Sequence, residues 1–182
     1  HAPLIIKGPI SPGHAVIQGE DSQPVSGLLI ASAFLKGETT IEVKHPGEKH
    51  WVGLTLAWFD RLGIQYRHDN FEYYTMAGHA MIDGFDYTVP GDFSSIAYPI
   101  VAALITQSQI RIDNIDMNDA QGDEKIIKTR INMGANIVME ENRITVHPSG
   151  VLKACTIDVN DMIDALPILA VVGCYAEGTT HL

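Results

Sequence analysis

The sequence predicts an α/β protein built from repeated βαβαββ units, because helix and strand patterns alternate and their whole order occurs a second time. Ser22 and Ser94, at the starts of equivalent predicted helices, are 72 residues apart. Gly63 and Gly134, which each stop the second helix of a copy, are 71 residues apart. Matching intervals at both helix starts and helix ends favour a true repeat over a chance alternation of elements.

The first copy covers residues 14–76. Apolar residues at helical spacing precede Gly63, which ends the helix in the manner of a left-handed C-cap. Threonine, isoleucine and valine alternate over residues 39–44, a pattern typical of a strand. In chain order, the predicted elements are strand 14–18, helix 22–36, strand 39–44, helix 51–62 and a hairpin of strands 64–67 and 71–76.

The second copy covers residues 85–147, and a third begins soon after it. The second is predicted to contain strand 85–90, helix 93–106, strand 109–113, helix 123–133 and strands 135–139 and 144–147. In the third, strand 154–159 leads to a helix near Asp164, and residues 178–180 start another strand. Pro99 and Pro167 lie inside apolar helical runs, where proline disrupts local hydrogen bonds. We therefore expect those two helices to begin a few residues late.

Composition indicates a folded, non-membrane protein. Apolar residues make up 46% of the 182 residues and charged residues 19%, which allows a sizeable core. The longest apolar runs are too short to span a bilayer. Cys155 and Cys174 do not form a disulfide framework, so we expect reduced thiols and a cytoplasmic location. The chain begins with His1 in place of methionine, and we expect it to be an interior piece of a longer protein.

The charge distribution argues against nucleic-acid binding. Lysine and arginine number 12 against 22 acidic residues, for a net charge of −10, and the basic residues are scattered. A duplex binder needs a basic stripe that neutralises phosphates. The histidines of residues 45–50 lie in a flexible turn, and the acidic residues 113–119 lack the pattern of a calcium loop. We therefore predict no nucleic-acid partner and no metal site.

Small polar or acidic residues mark the strand-to-helix corner of each copy. They are Asp21-Ser22-Gln23, Asp92 with Ser94-Ser95, and Asp161 with Asp164. A helix start offers free backbone N–H groups and the positive end of the helix dipole, which suits an anion. The same side chains can simply cap their helices. Both interpretations stay open from spacing alone.

An ordered set of motifs resembles the 5-enolpyruvylshikimate-3-phosphate synthase family. The motifs extend over essentially the whole chain and occur in the family's order. They are Gly19-Glu20-Asp21-Ser22-Gln23 followed by Leu28-Leu29, Gly91-Asp92-Phe93-Ser94-Ser95 followed by Tyr98, Gln121-Gly122-Asp123 before Met133-Gly134-Ala135, and Asp164-Ala165 before Gly178-Thr179-Thr180.

The resemblance implies the enolpyruvyl transferase fold, an inside-out α/β barrel with two domains of three βαβαββ units each. On that basis residues 1–150 form two units of one domain, and residues 151–182 start a unit of the second. The implied reaction moves the enolpyruvyl group of phosphoenolpyruvate to the 5-hydroxyl of shikimate 3-phosphate, without metal or organic cofactor. The implied enzyme is a cytoplasmic monomer of aromatic amino acid biosynthesis.

The resemblance also implies site residues. Ser22 and Gln23 match positions that contact shikimate 3-phosphate, and Asp21 stands where the family usually has serine. Trp51 takes the aromatic position of a Ser-x-x-Tyr segment, whose serine position is Glu48. Asp164 matches an aspartate that binds the shikimate hydroxyls and is a candidate for proton transfer. Asp92 and the serines after it are expected to serve the fold.

Two alternatives remain beside this hypothesis. One is the related transferase that acts on UDP-N-acetylglucosamine, against which the Gly-Asp-x-Ser-Ser and Gln-Gly-Asp segments argue. The other is a non-catalytic or degenerate module of the same fold, favoured by the departures at Asp21, Pro24 and Glu48. Both proposed substrates are anionic and call for convergent arginine and lysine, which the family carries mainly outside this stretch. We therefore expect negligible turnover by these 182 residues alone.

Overall fold

The computed structural model describes residue 3 and residues 5–119, 124–159 and 162–182. The chain forms two compact units, which divide between Phe85 and Asp86. Each unit has its own sheet and its own hydrophobic core.

The first unit has the complete βαβαββ order that the sequence predicts. Its two helices start and end close to the predicted bounds, and Gly63 ends the second in the left-handed conformation, with φ 68°. The elements are β1 (His14–Gln18), α1 (Ser22–Ala33), β2 (Thr39–Lys44), α2 (Lys49–Leu62), β3 (Tyr66–Asp69) and β4 (Tyr73–Met76).

The first unit's sheet has the strand order β1-β2-β4-β3 within the described residues. β1 and β2 are parallel, with α1 as their crossover, and the other neighbours are antiparallel. The β3–β4 turn places both Asn70 and Phe71 at positive φ. Alternate residues of β2, such as Ile41 and Val43, are buried, which follows from the two-residue period of a strand. Leu29 of α1 and Phe59 of α2 belong to the same core.

The second unit contains a three-stranded antiparallel sheet among its described residues, in the order β5-β7-β6. Ile144 and Val146 of the last strand are fully buried against the apolar face of the first helix of this unit. The elements are α3 (Phe93–Ile105), β5 (Ile110–Asp113), α4 (Glu124–Asn132), β6 (Ile137–Glu140), β7 (Arg143–Val146), a 3₁₀ turn (Ile163–Ala165) and α5 (Leu166–Cys174).

The predicted strands at residues 85–90 and 154–159 are wrong as continuous strands. The end of the first segment contacts its neighbour: the Asn114 amide donates to the Val89 carbonyl at 3.0 Å, and the N–H of the following Gly91 donates to the Asn114 carbonyl at 2.7 Å. Thr156 of the second segment makes an isolated parallel bridge to His181, and Lys153, just before the segment, makes another to Glu177. A strand needs a continuous ladder of such bonds, and neither segment has one.

The two prolines behave differently. α3 begins at Phe93 and continues through Pro99, so the expected late start is wrong there. Its apolar face is fully buried at Ile100, and Asp92 caps its first turn, which together outweigh the missing N–H. α5 begins only at Leu166 with Pro167 in its first turn, where proline is tolerated, so the late start is confirmed.

Residues 151–182 share the core of the second unit through buried side chains such as Leu152 and Leu169. The division between Phe85 and Asp86 separates two groups of residues that each pack mainly among themselves. It does not test the assignment of residues 1–150 and 151–182 to different domains of a longer protein, which stays a prediction. Two further expectations concern the cysteines and the membrane. Neither cysteine forms a disulfide.

Among the described residues, no helix is long and apolar enough to cross a bilayer.

Replacing Leu29, which is fully buried, by alanine is expected to lower the free energy of unfolding of the first unit by about 2–5 kcal/mol. The substitution removes buried methyl groups and leaves a cavity in the core. Urea denaturation followed by tryptophan fluorescence measures this unit, because both tryptophans, Trp51 and Trp58, belong to it. The matched control is Ile30→Ala on the same helix, which is 47% exposed and should cost less than about 1 kcal/mol. Equal losses for both variants would contradict the placement of α1.

Candidate functional site

The β1–α1 corner of the first unit begins with Asp21, the N-cap of α1. Asp21 has extended backbone, and its Oδ1 accepts a hydrogen bond from Gln23 N–H at 2.9 Å. This contact satisfies one of the backbone donors that a helix leaves free at its start. The carboxylate of Asp21 therefore serves its own helix, as the capping interpretation predicts.

Ser22, the next residue, is held by a carboxylate from another loop. Its backbone N–H donates to Oε2 of Glu48 at 3.1 Å, and its hydroxyl donates to the same oxygen at 2.7 Å. The Ser22 side chain is buried, with 6% of its surface exposed. A carboxylate at a helix start is stabilised by the helix dipole and by charge-assisted hydrogen bonds. The first turn of α1 thus binds an anion that belongs to the protein itself.

Two glycines allow these loops to meet. Gly19 N–H donates to the Lys44 carbonyl at 2.8 Å, and Gly47 N–H donates to the Gly19 carbonyl at 2.7 Å. A Cβ at Gly47 would lie 2.5 Å from the carbonyl oxygen of Glu20, too close for any side chain. The absence of a side chain at Gly47 therefore lets the β2–α2 loop lie against the β1–α1 loop.

Glu48 and Trp51 form the start of α2. Glu48 precedes the helix in the left-handed conformation, with φ 44°, and its carbonyl accepts a hydrogen bond from Trp51 N–H at 3.0 Å. Trp51 is half-buried, and its ring lies 5.2 Å from the imidazole of His50. One turn further, the Thr55 hydroxyl donates to Ser26 of α1 at 2.9 Å. The starts of α1 and α2 are therefore linked by two side-chain contacts, Ser22 with Glu48 and Ser26 with Thr55.

The structure brings four of the five predicted site residues to this corner. Asp21, Ser22 and Gln23 occupy the first turn of α1, and Trp51 is joined to them through Glu48. Gln23 is exposed, so its amide is accessible to a ligand. The structure tests no ligand contact, and the binding role of these residues stays a prediction.

Asp164, the fifth predicted residue, belongs to the second unit. It lies in the 3₁₀ turn before α5, and its side chain is exposed while the neighbouring Ala165 is fully buried. The burial of Ala165 anchors the turn, and the carboxylate of Asp164 points away from the core. A carboxylate presented in this way can accept a proton from a bound hydroxyl.

The corner of the second copy is a helix cap, which confirms the expectation that Asp92 and its serines serve the fold. The carboxylate of Asp92 accepts hydrogen bonds from the N–H groups of Ser94 at 3.2 Å and Ser95 at 3.0 Å, and also from the Ser95 hydroxyl. The remaining motif residues, Gln121-Gly122-Asp123 and Asp161, lie outside the described residues.

Sequence reasoning missed two features of the charged groups. The contact of Glu48 with Ser22 joins residues 26 positions apart, and only the departure from serine at position 48 signals it. Arg130 is fully buried, and this burial lowers its pKa to about 10, so it stays charged at neutral pH. The interval of three residues from the apolar Ile127 to Arg130, which places the two side chains on neighbouring positions of one helix face, was the available signal. In the described part of the chain, no group of three His, Cys, Asp or Glu side chains is arranged to hold a metal.

The fold is that of the enolpyruvyl transferases. EPSP synthase from Acinetobacter baumannii superposes with a TM-score of 0.74 at 23% identity, covering 95% of this chain and 40% of that one. The enolpyruvyl transferase NikO from Streptomyces tendae superposes with a TM-score of 0.71 at 22% identity, covering 93% of this chain and 43% of that one. These likenesses confirm the predicted fold class.

The chain belongs to the EPSP synthase (3-phosphoshikimate 1-carboxyvinyltransferase) family, whose pattern matches residues 1–182. It is 40% identical to 3-phosphoshikimate 1-carboxyvinyltransferase of Chlamydia caviae over 182 residues, which are 99% of this chain and 41% of that protein. It is 36% identical to the enzyme of that name from Ruminiclostridium cellulolyticum over 181 residues, 43% of that protein. The chain thus spans about two fifths of the length of these relatives, and the predicted family is confirmed.

Replacing Gly47 by alanine is expected to lower the free energy of unfolding of the first unit by about 1–3 kcal/mol, because the new Cβ meets the Glu20 carbonyl. Urea denaturation followed by tryptophan fluorescence measures the loss. The matched control is Gly53→Ala within α2, where a Cβ meets nothing within 4 Å. That change should stabilise the helix by about 0.5–1 kcal/mol. A Gly47→Ala variant as stable as the unmodified chain would show that the two loops do not lie as close as described.

Proposed function

We propose that the complete polypeptide carrying these residues transfers the enolpyruvyl group of phosphoenolpyruvate to the 5-hydroxyl of shikimate 3-phosphate and releases phosphate. The observation that carries the proposal is the family match over residues 1–182, the entire chain. Relatives named 3-phosphoshikimate 1-carboxyvinyltransferase match over nearly the whole chain, among them one at 40% identity. This match supports the synthase hypothesis over the sugar-nucleotide transferase and the degenerate module.

In this proposal, Ser22 and Gln23 hold shikimate 3-phosphate at the start of α1. A helix start suits an anionic ligand, because backbone N–H groups and the positive end of the helix dipole converge there. At Ser22 the ligand must take the place of the Glu48 carboxylate. Gln23 is exposed, and Trp51 lies one loop away as an aromatic neighbour of the substrate. Asp21 acts indirectly, since its carboxylate keeps the first turn in place through Gln23 N–H.

Asp164 is the proposed catalytic residue. Its role is to hold the shikimate hydroxyls and to accept the proton that the attacking 5-hydroxyl loses as its oxygen bonds to the enolpyruvyl carbon. The exposed carboxylate in the 3₁₀ turn before α5 is compatible with both tasks. The proposal includes no metal and no organic cofactor.

The charge of the two substrates must be balanced from elsewhere in the polypeptide. This chain has a net charge of −10, and its corner at Ser22 is already occupied by a carboxylate. Tight binding of phosphate and carboxylate groups calls for convergent arginine and lysine. We therefore propose that residues 1–182 alone bind the substrates weakly and do not turn them over. The complete enzyme is proposed to be a cytoplasmic monomer.

The test is phosphate release by the complete polypeptide, supplied with phosphoenolpyruvate and shikimate 3-phosphate, beside an Asp164→Ala variant. Removing a proton acceptor is expected to lower kcat by about 10²–10⁴-fold. The matched control is Glu177→Gln, which removes another exposed carboxylate of the second unit and should keep kcat within about twofold.

Absence of phosphate release by the well-folded, unmodified polypeptide would refute the proposed reaction. Release that persists at full rate in the Asp164→Ala variant would refute only the role of Asp164. Circular dichroism of each variant shows whether a loss of activity comes from a loss of fold.

A further inference from the structure

The two donors of Ser22, in the first turn of α1, are engaged before any ligand arrives. Both the backbone N–H and the hydroxyl of Ser22 donate to one oxygen, Oε2 of Glu48, at 3.1 and 2.7 Å. These are the donors that the proposed function assigns to shikimate 3-phosphate, so the inference rests on that proposal. A ligand oxygen can take them only if the Glu48 carboxylate leaves.

Glu48 is held in this position by its backbone. The residue adopts the left-handed conformation at the start of α2, and its carbonyl accepts the Trp51 N–H. Gly47 fixes the preceding backbone against Gly19 through a hydrogen bond of 2.7 Å. The loop that carries Glu48 is therefore held by backbone contacts, and its carboxylate reaches Ser22 from that loop.

The negative charge of Glu48 discriminates between an anionic ligand and a neutral ligand at the Ser22 donors. A phosphate at the Ser22 donors would lie within a few ångströms of the Glu48 carboxylate, and like charges at that distance repel strongly near a protein surface. Asp21, on the same turn, adds a second carboxylate. A neutral hydroxyl ligand meets no such repulsion. It can donate a hydrogen bond to the Glu48 carboxylate, or it can take the place of that carboxylate at Ser22.

We propose that Glu48 is a specificity-determining residue of the acceptor site, whose carboxylate occupies the Ser22 donors in place of a ligand's anionic oxygen. Its effect is to weaken binding of a phosphate group at this corner and to leave the chemical step unchanged. The resemblance places a serine at this position, and a serine hydroxyl can donate to a phosphate where a carboxylate repels it.

The experiment measures KM for shikimate 3-phosphate and kcat in the complete polypeptide and in two variants. Glu48→Ser removes the charge and the hydrogen-bond acceptor over Ser22, and should lower KM about tenfold or more with kcat within about threefold. Glu48→Gln removes the charge but keeps an oxygen that accepts from Ser22, and should give a smaller decrease. The control is Glu20→Gln, which removes an exposed carboxylate of the neighbouring β1–α1 loop and should leave KM within about twofold.

A KM that stays unchanged or rises in both folded Glu48 variants would overturn the inference. So would an equal decrease in Glu20→Gln, since that result indicates a general charge effect. A single cooperative thermal unfolding transition shows that each variant is folded.

A second probe separates this inference from the proposed function. Inorganic phosphate is titrated into the ¹⁵N-labelled complete polypeptide while the amide resonances of Ser22 and Gln23 are followed. If no version turns over shikimate 3-phosphate, the proposed function fails. The inference still stands if phosphate shifts these resonances in Glu48→Ser at a concentration about tenfold lower than in the unmodified protein. It fails if both respond alike or neither responds.

Discussion

The close backbone approach at Gly47 is the contact on which the first unit's corner depends. Parallel pairing of β1 with β2 brings their carboxyl ends together, and the bonds from Gly19 to Lys44 and from Gly47 to Gly19 continue that pairing into the loops. A side chain at Gly47 would collide with the Glu20 carbonyl. Because the loops touch, the starts of α1 and α2 lie side by side, and residues far apart in sequence share one small surface.

On that surface, hydrogen-bond donors at the start of α1 are paired with carboxylates of the same chain. Asp21 accepts from the N–H of Gln23, and Glu48 accepts from Ser22, so two carboxylates serve the donors of one helix start. Such contacts stabilise the helix through its dipole. They also mean that a ligand oxygen at Ser22 would gain only the difference between its own hydrogen bonds and those of Glu48.

The sequence predicts the local elements well and the long-range contacts poorly. Gly63 and the apolar period before it fix the end of α2, and the alternation in β2 fixes its buried face. The strand expected at residues 85–90 fails because pairing depends on a partner whose register the local pattern does not contain. The end of that segment contacts Asn114, whose amide donates to the Val89 carbonyl. The Ser22–Glu48 contact is of the same kind, since it requires two loops to meet in space.

Contacts that occur in both copies of the repeat are contacts that the repeated fold itself uses. Asp21 and Asp92 stand at equivalent corners, and each caps its own helix by accepting from N–H groups two or three residues later. Gly19 and Gly91 likewise donate to the ends of equivalent strands, at Lys44 and Asn114. Capping and strand contact are therefore properties of the repeated unit. Glu48 adds to this shared cap a carboxylate from the β2–α2 loop, which accepts from the N–H and hydroxyl of Ser22 while Asp21 accepts from Gln23. The same contact therefore stabilises the start of α1 and occupies the Ser22 donors that a ligand would need.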